Sequence, residues 1–249
     1  MSFFSEQPHL VVAHRGLALH FPENTLPAFS AAVEVGADIL ETDVHASADG
    51  VAMISHDPNL LRLAGRPERI SQLRQRELSA IDLGGGVTMP SLAELLEEFP
   101  RARFSVDIKH PAALEPVVTT LKKMGATSRV MIASFSSKTR ARALKALSPI
   151  VNCATSQQLF PAYLASQLGL PRIAHRALAG AQAVFIPPNW RGINLLTPRF
   201  VSQLTERKVT LGVWTINDPE LMTRYWQLGV RAMVTDRADL AIQRRELMP

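Results

Sequence analysis

Seven residues stand at or near the ends of short apolar runs and carry side chains able to hold a proton, a hard cation or a phosphate: His14, Arg15, Glu41, Asp43, His56, Asp107 and Lys109. Glu41 and Asp43 are two apart, as are Asp107 and Lys109. On a β-strand residues i and i+2 share a face, so each pair projects to one side. Three carboxylates brought to one place repel unless a cation lies between them, and an all-oxygen donor set suits Mg²⁺ or Ca²⁺ better than zinc. Arg15 and Lys109 add fixed positive charge. That combination suits a phosphoryl group, and His14 and His56 supply groups that carry protons near neutral pH.

Each feature has a plainer reading alone. An acidic pair on a strand is commonly a solvated or ion-paired end, and a histidine after a strand is commonly structural. His9, His20, His110 and His175 are assigned to that structural class. His45 shares the parity of Asp43 and is read as structural too. Cys153, the one cysteine, rules out an intramolecular disulfide and is expected to be an inert thiol in a buried strand.

The elements that must position these groups follow from the apolar patterning. Continuous runs centred near residues 10, 40, 106, 131, 152, 185, 213 and 233 suit strands buried on both faces. Amphipathic segments lie between most of them: a helix from Pro27 with Phe29, Ala32 and Val33 inward, Leu114 to Met124, Ser137 to Leu147 with Ala141, Leu144 and Leu147 inward, Ala162 to Leu168, one from Pro198 with Phe200, Val201 and Leu204 inward, and one from Pro219 with Leu221, Tyr225 and Leu228 inward. Asp49-Gly50 marks a hairpin turn before a short strand, Val51 to Ser55. Residues 57–100 read as an excursion, with a helix near Ser71 to Leu78 and another from Leu92 to Phe99 opened by the capping box Ser91-x-x-Glu94. Eight βα units close into a (β/α)₈ TIM barrel more readily than into an open sheet, and no Gly-rich dinucleotide loop follows the first strand. The expectation is α/β, a single domain over residues 1–249 with a small insertion between strands two and three. In such a barrel chemistry sits at the C-terminal strand ends. His14 and Arg15 follow strand one, Glu41 and Asp43 lie on strand two, Asp107 and Lys109 on strand three, and His56 ends the short strand after the hairpin turn.

At 249 residues and 47% hydrophobic content the chain can bury a large core. The net charge of +5 suits an anionic substrate. Basic residues are spread along the sequence without interleaved aromatics, which argues against nucleic-acid binding. No apolar run is long enough for a membrane span, so no stable membrane insertion is expected. The first residues lack the pattern of a signal peptide, and a cytoplasmic location is expected.

The blocks AHRG (13–16), PENT (22–25), ETDVHASADG (41–50), SHD (55–57), MPSLAELL (89–96), DIK (107–109), VWTIND (213–218) and VTDRADL (234–240) together resemble the glycerophosphodiester phosphodiesterase family over nearly the whole length. The resemblance implies metal-dependent hydrolysis of a small-molecule glycerophosphodiester to glycerol 3-phosphate and an alcohol, with one divalent cation, Mg²⁺ or Ca²⁺. It implies that Glu41, Asp43 and Asp107 are metal ligands, that His14 and His56 are the acid/base pair, and that Arg15 and Lys109 bind phosphate. Many relatives carry Glu at the position of Asp107, whose shorter arm leaves room for a water or a shifted ion. Trp214 is similar to a tryptophan that walls the family's substrate pocket, and Phe135 is a weaker candidate of that kind. The Pro22–Thr25 loop either reaches the site or is a helix-entry turn. Two rival readings are a phospholipase D-like lyase acting on lysolipids and a non-catalytic phosphodiester-binding barrel. The lyase usually accompanies secretion and disulfides, and neither is evident in this sequence.

Overall fold

The chain, a computed structural model describing residues 3, 4 and 6–248, is built on the parallel strands β1 (Leu10–His14), β2 (Ile39–Ala46), β4 (Arg103–Ile108), β5 (Val130–Ala133), β6 (Val151–Asn152), β7 (Ala183–Ile186), β10 (Thr210–Val213) and β11 (Ala232–Thr235). Their order round the sheet is β6-β5-β4-β2-β1-β11-β10-β7. The outermost pair is joined by a parallel bridge between Cys153 and Ala183 and by two backbone bonds, Ala154 N to Ala183 O and Gln182 N to Asn152 O, both 2.8 Å. This makes a nearly closed barrel of eight parallel strands.

Two layers of apolar side chains hold it. Alternate strand residues point inward, so Leu10, Val12, Ile39, Met131, Ala183, Ala232 and Val234 form the barrel interior. Their neighbours Val11, Ala13, Leu40, Phe104, Val106 and Ile132 pack outward under the helices. Burial on both faces is why these strands read as continuous apolar runs.

The covering helices are α1 (Leu26–Glu34), α5 (Leu114–Lys123), α6 (Ser137–Leu147), α7 (Ser156–Gln167), α8 (Pro171–Ala177), α9 (Pro198–Glu206), α10 (Pro219–Leu228) and α11 (Ala238–Glu246). In α9, Phe200, Val201 and Leu204 are buried as patterned. Elsewhere the stripe is rotated. In α1 Ala28 replaces Val33, which is 43% exposed. In α6 Ala143 is buried while Ala141 is exposed. In α10 Met222 and Trp226 are the buried residues, not Leu221. Helix α7 starts six residues before Ala162, because Thr155 caps it, and it runs on through Pro161. Helices α8 and α11, and the two-stranded hairpin β8 (Asn189–Trp190) with β9 (Ile193–Asn194), are additions to the sequence expectation.

Strand β3 (Ala52–Ile54) pairs antiparallel with the end of β2 and opens the insertion. The insertion has its own apolar cluster of Met53, Leu60, Ile70, Leu78, Ile81, Leu83 and Met89. It contains α2 (Leu61–Ala64), α3 (Gln75–Leu78) and α4 (Leu92–Glu98). The expected helix near Ser71 to Leu78 is instead a 3₁₀ turn over Ile70–Gln72 followed by α3. The Ser91/Glu94 capping box opens α4 as expected.

Candidate active site

The strand register assembles the site. His14 pairs with Glu41 across β1 and β2, and Asp43 pairs with Asp107 across β2 and β4. All seven residues line one cavity of about 460 Å³ at the C-terminal ends of the strands. Trp214 and Phe135 stand at its rim, 38% and 85% exposed.

The loop after β1 is tightly constrained. Arg15 has φ 59°, and Gly16 has φ 85°. A Cβ on Gly16 would lie 2.7 Å from the carbonyl carbon of Ala28, so this turn is pressed against α1 and only glycine fits. Arg15 N donates to the Glu41 carbonyl at 3.0 Å, and Asn24 N donates to the Arg15 carbonyl at 2.9 Å. The Pro22–Thr25 loop therefore does both things open to it: Thr25 precedes α1, and the loop returns to the site. Buried Asn24 donates to Asp43 Oδ2 at 3.1 Å and accepts from Thr42 Oγ1 at 2.8 Å.

Charge alternates through the centre. Arg15 Nε lies 3.1 Å from Asp43 Oδ2, and Lys109 Nζ lies 2.7 Å from Asp43 Oδ1 and 2.8 Å from Asp107 Oδ2. Burial pushes the Asp43 carboxyl up, but Lys109, Arg15 and Asn24 outweigh it and hold it below the ordinary value. At Asp107 burial prevails over the lysine and the carboxyl is raised. Glu41 is raised well above the ordinary value by burial and by the charges of Asp43 and Asp107. Lys109 is held in its charged form because the two aspartates outweigh the effect of burial.

The two candidate proton carriers are anchored alike. His14 Nδ1 lies 2.7 Å from Asp236 Oδ1, and His56 Nδ1 lies 2.8 Å from Asp57 Oδ1. The His14 bond, with help from Asn217, keeps Asp236 below the ordinary carboxyl value. At Asp57 burial acts upward, but His56 and Arg62 prevail and lower it. Ionised carboxylates only accept hydrogen bonds, so Nδ1 is the donor in both rings and Nε2 is left to exchange protons. Behind Asp57, Arg62 donates to Asp57 Oδ2 and to Glu23 Oε1, each at 2.6 Å. Glu23 also accepts from Arg15 at 3.1 Å. Thus a continuous polar chain runs from His56 to Asp43.

Asp57, Asp236, Asn217 and Arg62 carry no role in the sequence reading, and Glu23 and Asn24 enter it only as part of the Pro22–Thr25 loop. Most lie inside the quoted blocks SHD, PENT, VWTIND and VTDRADL, which is the signal that could have found them. Two of the histidines read as structural make backbone bonds. His45 Nε2 donates to the His56 carbonyl at 3.1 Å, and His110 Nδ1 accepts from Ala112 N at 3.2 Å. The Cys153 thiol is buried and pushed up to about 11, the state of an unreactive thiol.

Among the described residues no three His, Cys, Asp or Glu side chains close around a metal-sized point. Lys109 fills the gap between Asp43 and Asp107. The donor chemistry nevertheless fits a hard cation: three carboxylates line one cavity, two of them, Glu41 and Asp107, are destabilised as anions, and Asp107 Oδ1 is buried without a hydrogen-bond partner.

Residues 14–240 match the model of the glycerophosphoryl diester phosphodiesterase family. The chain is 33% identical over 242 residues to a probable glycerophosphodiester phosphodiesterase 2 of Mycobacterium tuberculosis, covering 96% of this chain and 92% of that protein. It is 29% identical over 247 residues to a glycerophosphodiester phosphodiesterase of Caldanaerobacter subterraneus, covering 94% and 96%. Its fold is similar to that of an Oleispira antarctica phosphodiesterase solved with the product sn-glycerol-3-phosphate, with a TM-score of 0.80, 23% identity and full coverage of both chains. The chain belongs to the glycerophosphoryl diester phosphodiesterase family.

Proposed function

We propose that this chain hydrolyses glycerophosphodiesters to glycerol 3-phosphate and an alcohol by a two-histidine acid/base route with one divalent cation. The observation that carries the reading is the matched pair of imidazoles, each fixed by a carboxylate at Nδ1 and each lining the cavity that holds Arg15, Lys109 and three carboxylates. A relative of the same fold was solved with sn-glycerol-3-phosphate, and relatives 33% and 29% identical over nearly the whole chain carry the phosphodiesterase name.

Arg15 and Lys109 orient the phosphodiester and offset charge on its non-bridging oxygens. Glu41, Asp43 and Asp107 would hold the cation, Mg²⁺ or Ca²⁺. When bound, the cation supplies Lewis-acid polarisation of the phosphoryl group. One of His14 and His56 takes at Nε2 the proton of the attacking hydroxyl, of water or of the neighbouring glycerol, as that oxygen bonds to phosphorus. The bond from phosphorus to the leaving alcohol breaks, and the other imidazole, protonated at Nε2, gives its proton to the departing alkoxide. Where the glycerol hydroxyl attacks, water then opens the cyclic phosphate with the two imidazoles exchanging roles. Asp57 and Asp236 orient the rings and stabilise whichever becomes imidazolium. Trp214 walls the substrate pocket at the rim of the cavity.

The test is a panel of glycerophosphodiesters and lysophospholipids assayed with Mg²⁺, Ca²⁺ and chelator. Turnover of the glycerophosphodiesters that stops with chelator supports the proposal. Cation binding without turnover of any diester points to a binding barrel, and preferential turnover of lysophospholipids points to the lyase. A diester lacking the neighbouring glycerol hydroxyl separates direct attack by water, which it permits, from attack by that hydroxyl, which it abolishes. Near-normal rates for either His14→Ala or His56→Ala would refute the pairing.

A further inference from the structure

Between Glu115 and Glu206 the chain has no aspartate or glutamate and eleven lysines and arginines. The remainder is net acidic, with 16 basic against 22 acidic residues, so charge is divided strongly between two parts of the barrel.

Helix α7 lies in the acid-free part and at the barrel mouth. Its residues are tied in turn to the segment that leaves β7 there. Phe160 packs on Trp190 with ring centroids 4.6 Å apart, Tyr163 donates to the Asn194 carbonyl at 2.9 Å, and Gln167 donates to Thr197 Oγ1 at 2.8 Å. Leu159, Ala162 and Ala165 face the protein. The opposite face is apolar as well: Leu164 and Leu168, one turn apart, are 60% and 66% exposed. Ile173, on the first turn of α8, is 55% exposed. A helix on a protein surface normally turns polar groups outward.

Cations flank this ridge. Arg172 is exposed beside Ile173. Arg191 stacks on Trp190 with its guanidinium carbon 4.8 Å from the ring centroid. Arg199 donates to the Gln167 carbonyl at the end of α7. Apolar side chains beside arginines and a half-exposed tryptophan match the interface of an anionic bilayer, where apolar groups enter the acyl boundary, arginines meet lipid phosphates and tryptophan sits at headgroup depth. An acidic protein partner would match the charge but leaves the contiguous leucine ridge without a role.

We propose that the α7 rim is a peripheral docking surface for an anionic lipid bilayer, set beside the cavity mouth through the Phe160–Trp190 contact. No helix among the described residues is long and apolar enough to cross a membrane, and docking needs none.

The test is co-sedimentation of the full chain with phosphatidylcholine vesicles, with and without about 30% phosphatidylglycerol, at low and high salt. The bound fraction is expected to rise roughly tenfold with the anionic lipid and to fall at high salt. Leu164→Asp and Arg172→Glu should each abolish most of the binding while leaving turnover of a water-soluble diester unchanged. Leu61→Asp, at an equally exposed leucine of the insertion, should retain it. Equal binding to both vesicle types, or equal loss in the Leu61 variant, overturns the proposal. So does a wild-type protein that ignores vesicles but dissociates from dimer to monomer on Leu164→Asp by light scattering, since the ridge would then cover a second copy of the chain.

Discussion

The carboxylate of Asp236 accepts a hydrogen bond from His14 Nδ1 over 2.7 Å, across the seam where the last strand of the barrel pairs with the first. Asp236 also accepts from Asn217 Nδ2 at 2.7 Å, so its orientation is set independently of the ring. Asp236→Asn keeps the shape but lets the amide donate to Nδ1, which favours the wrong tautomer. The expected result is a fall in kcat of roughly 10²- to 10⁴-fold, with KM nearly constant and an unchanged melting temperature. A change in KM alone would assign Asp236 to substrate binding instead.

Asp57→Asn at the second histidine should behave similarly, with one difference. Asp57 is also held by Arg62, which joins it to Glu23 and Arg15. Its loss releases Arg62 and slackens the loop that carries Asn24 towards Asp43. We expect lower kcat together with a severalfold rise in KM, whereas Asp236→Asn changes kcat alone. Steady-state kinetics on one soluble diester compares the two.

How far the sequence reveals this site depends on where the information lies. The strands were legible because parallel strands buried on both faces are continuous apolar runs, and His14, Glu41, Asp43, Asp107 and Lys109 were legible because they interrupt those runs at their ends. Asp236 was not, since nothing local to residue 236 states that its strand pairs with the one ending at His14. Asn24 and Glu23 were legible only as a loop, because their partners lie on other elements. The rotated stripes of α1, α6 and α10 put Ala28, Ala143 and Met222 in the helix–barrel seam where Val33, Ala141 and Leu221 were expected, a rotation that periodicity alone does not resolve. The β8–β9 hairpin is two residues a side and exposed, too short to leave a pattern.

Glu41 sets activity against stability. Burial, Asp43 and Asp107 raise its folded-state pKa. A raised folded pKa means that the group's favourable contribution is complete below the unfolded value and is lost as pH rises through the folded one. At neutral pH, above the unfolded value, Glu41 therefore destabilises the cation-free fold. Glu41→Gln should raise the melting temperature of the metal-free protein by a few degrees near pH 7.5, with the gain shrinking towards about pH 4. The same variant should lose divalent-ion binding and nearly all turnover. Calorimetry at the two pH values checks the sign, and a lower melting temperature at pH 7.5 would contradict it.

Lys109 supports both aspartates, at 2.7 and 2.8 Å. Lys109→Met leaves two buried carboxylates facing each other, which should cost on the order of 3–5 kcal/mol in denaturant melts. Adding Asp107→Asn to that variant should restore a substantial part of the loss, because the carboxylate that remains, Asp43, keeps Arg15 and Asn24 as partners. If stability returns on adding Mg²⁺ or Ca²⁺ to the single variant, a cation can occupy the position of the lysine ammonium. Absence of any such recovery would argue against the proposed ligand set.

Gly16 tests whether the turn after β1 is a fixed part of the site. Its φ of 85° is unfavourable to other residues, and an added Cβ would meet the Ala28 carbonyl at 2.7 Å. That atom belongs to the backbone of α1 and cannot swing aside. Gly36, with φ 90° and nothing within 4 Å of an added Cβ, isolates the conformational part of the cost. Gly36→Ala should destabilise by about 1 kcal/mol. Gly16→Ala should cost several times that, because the clash adds to the strain. Any folded Gly16→Ala protein should also show reduced turnover, because displacing α1 moves Arg15 and Asn24 together away from Asp43. Equal melting temperatures for the two variants would show that the turn yields without cost, and the close approach to α1 would then not be what holds Arg15 in place.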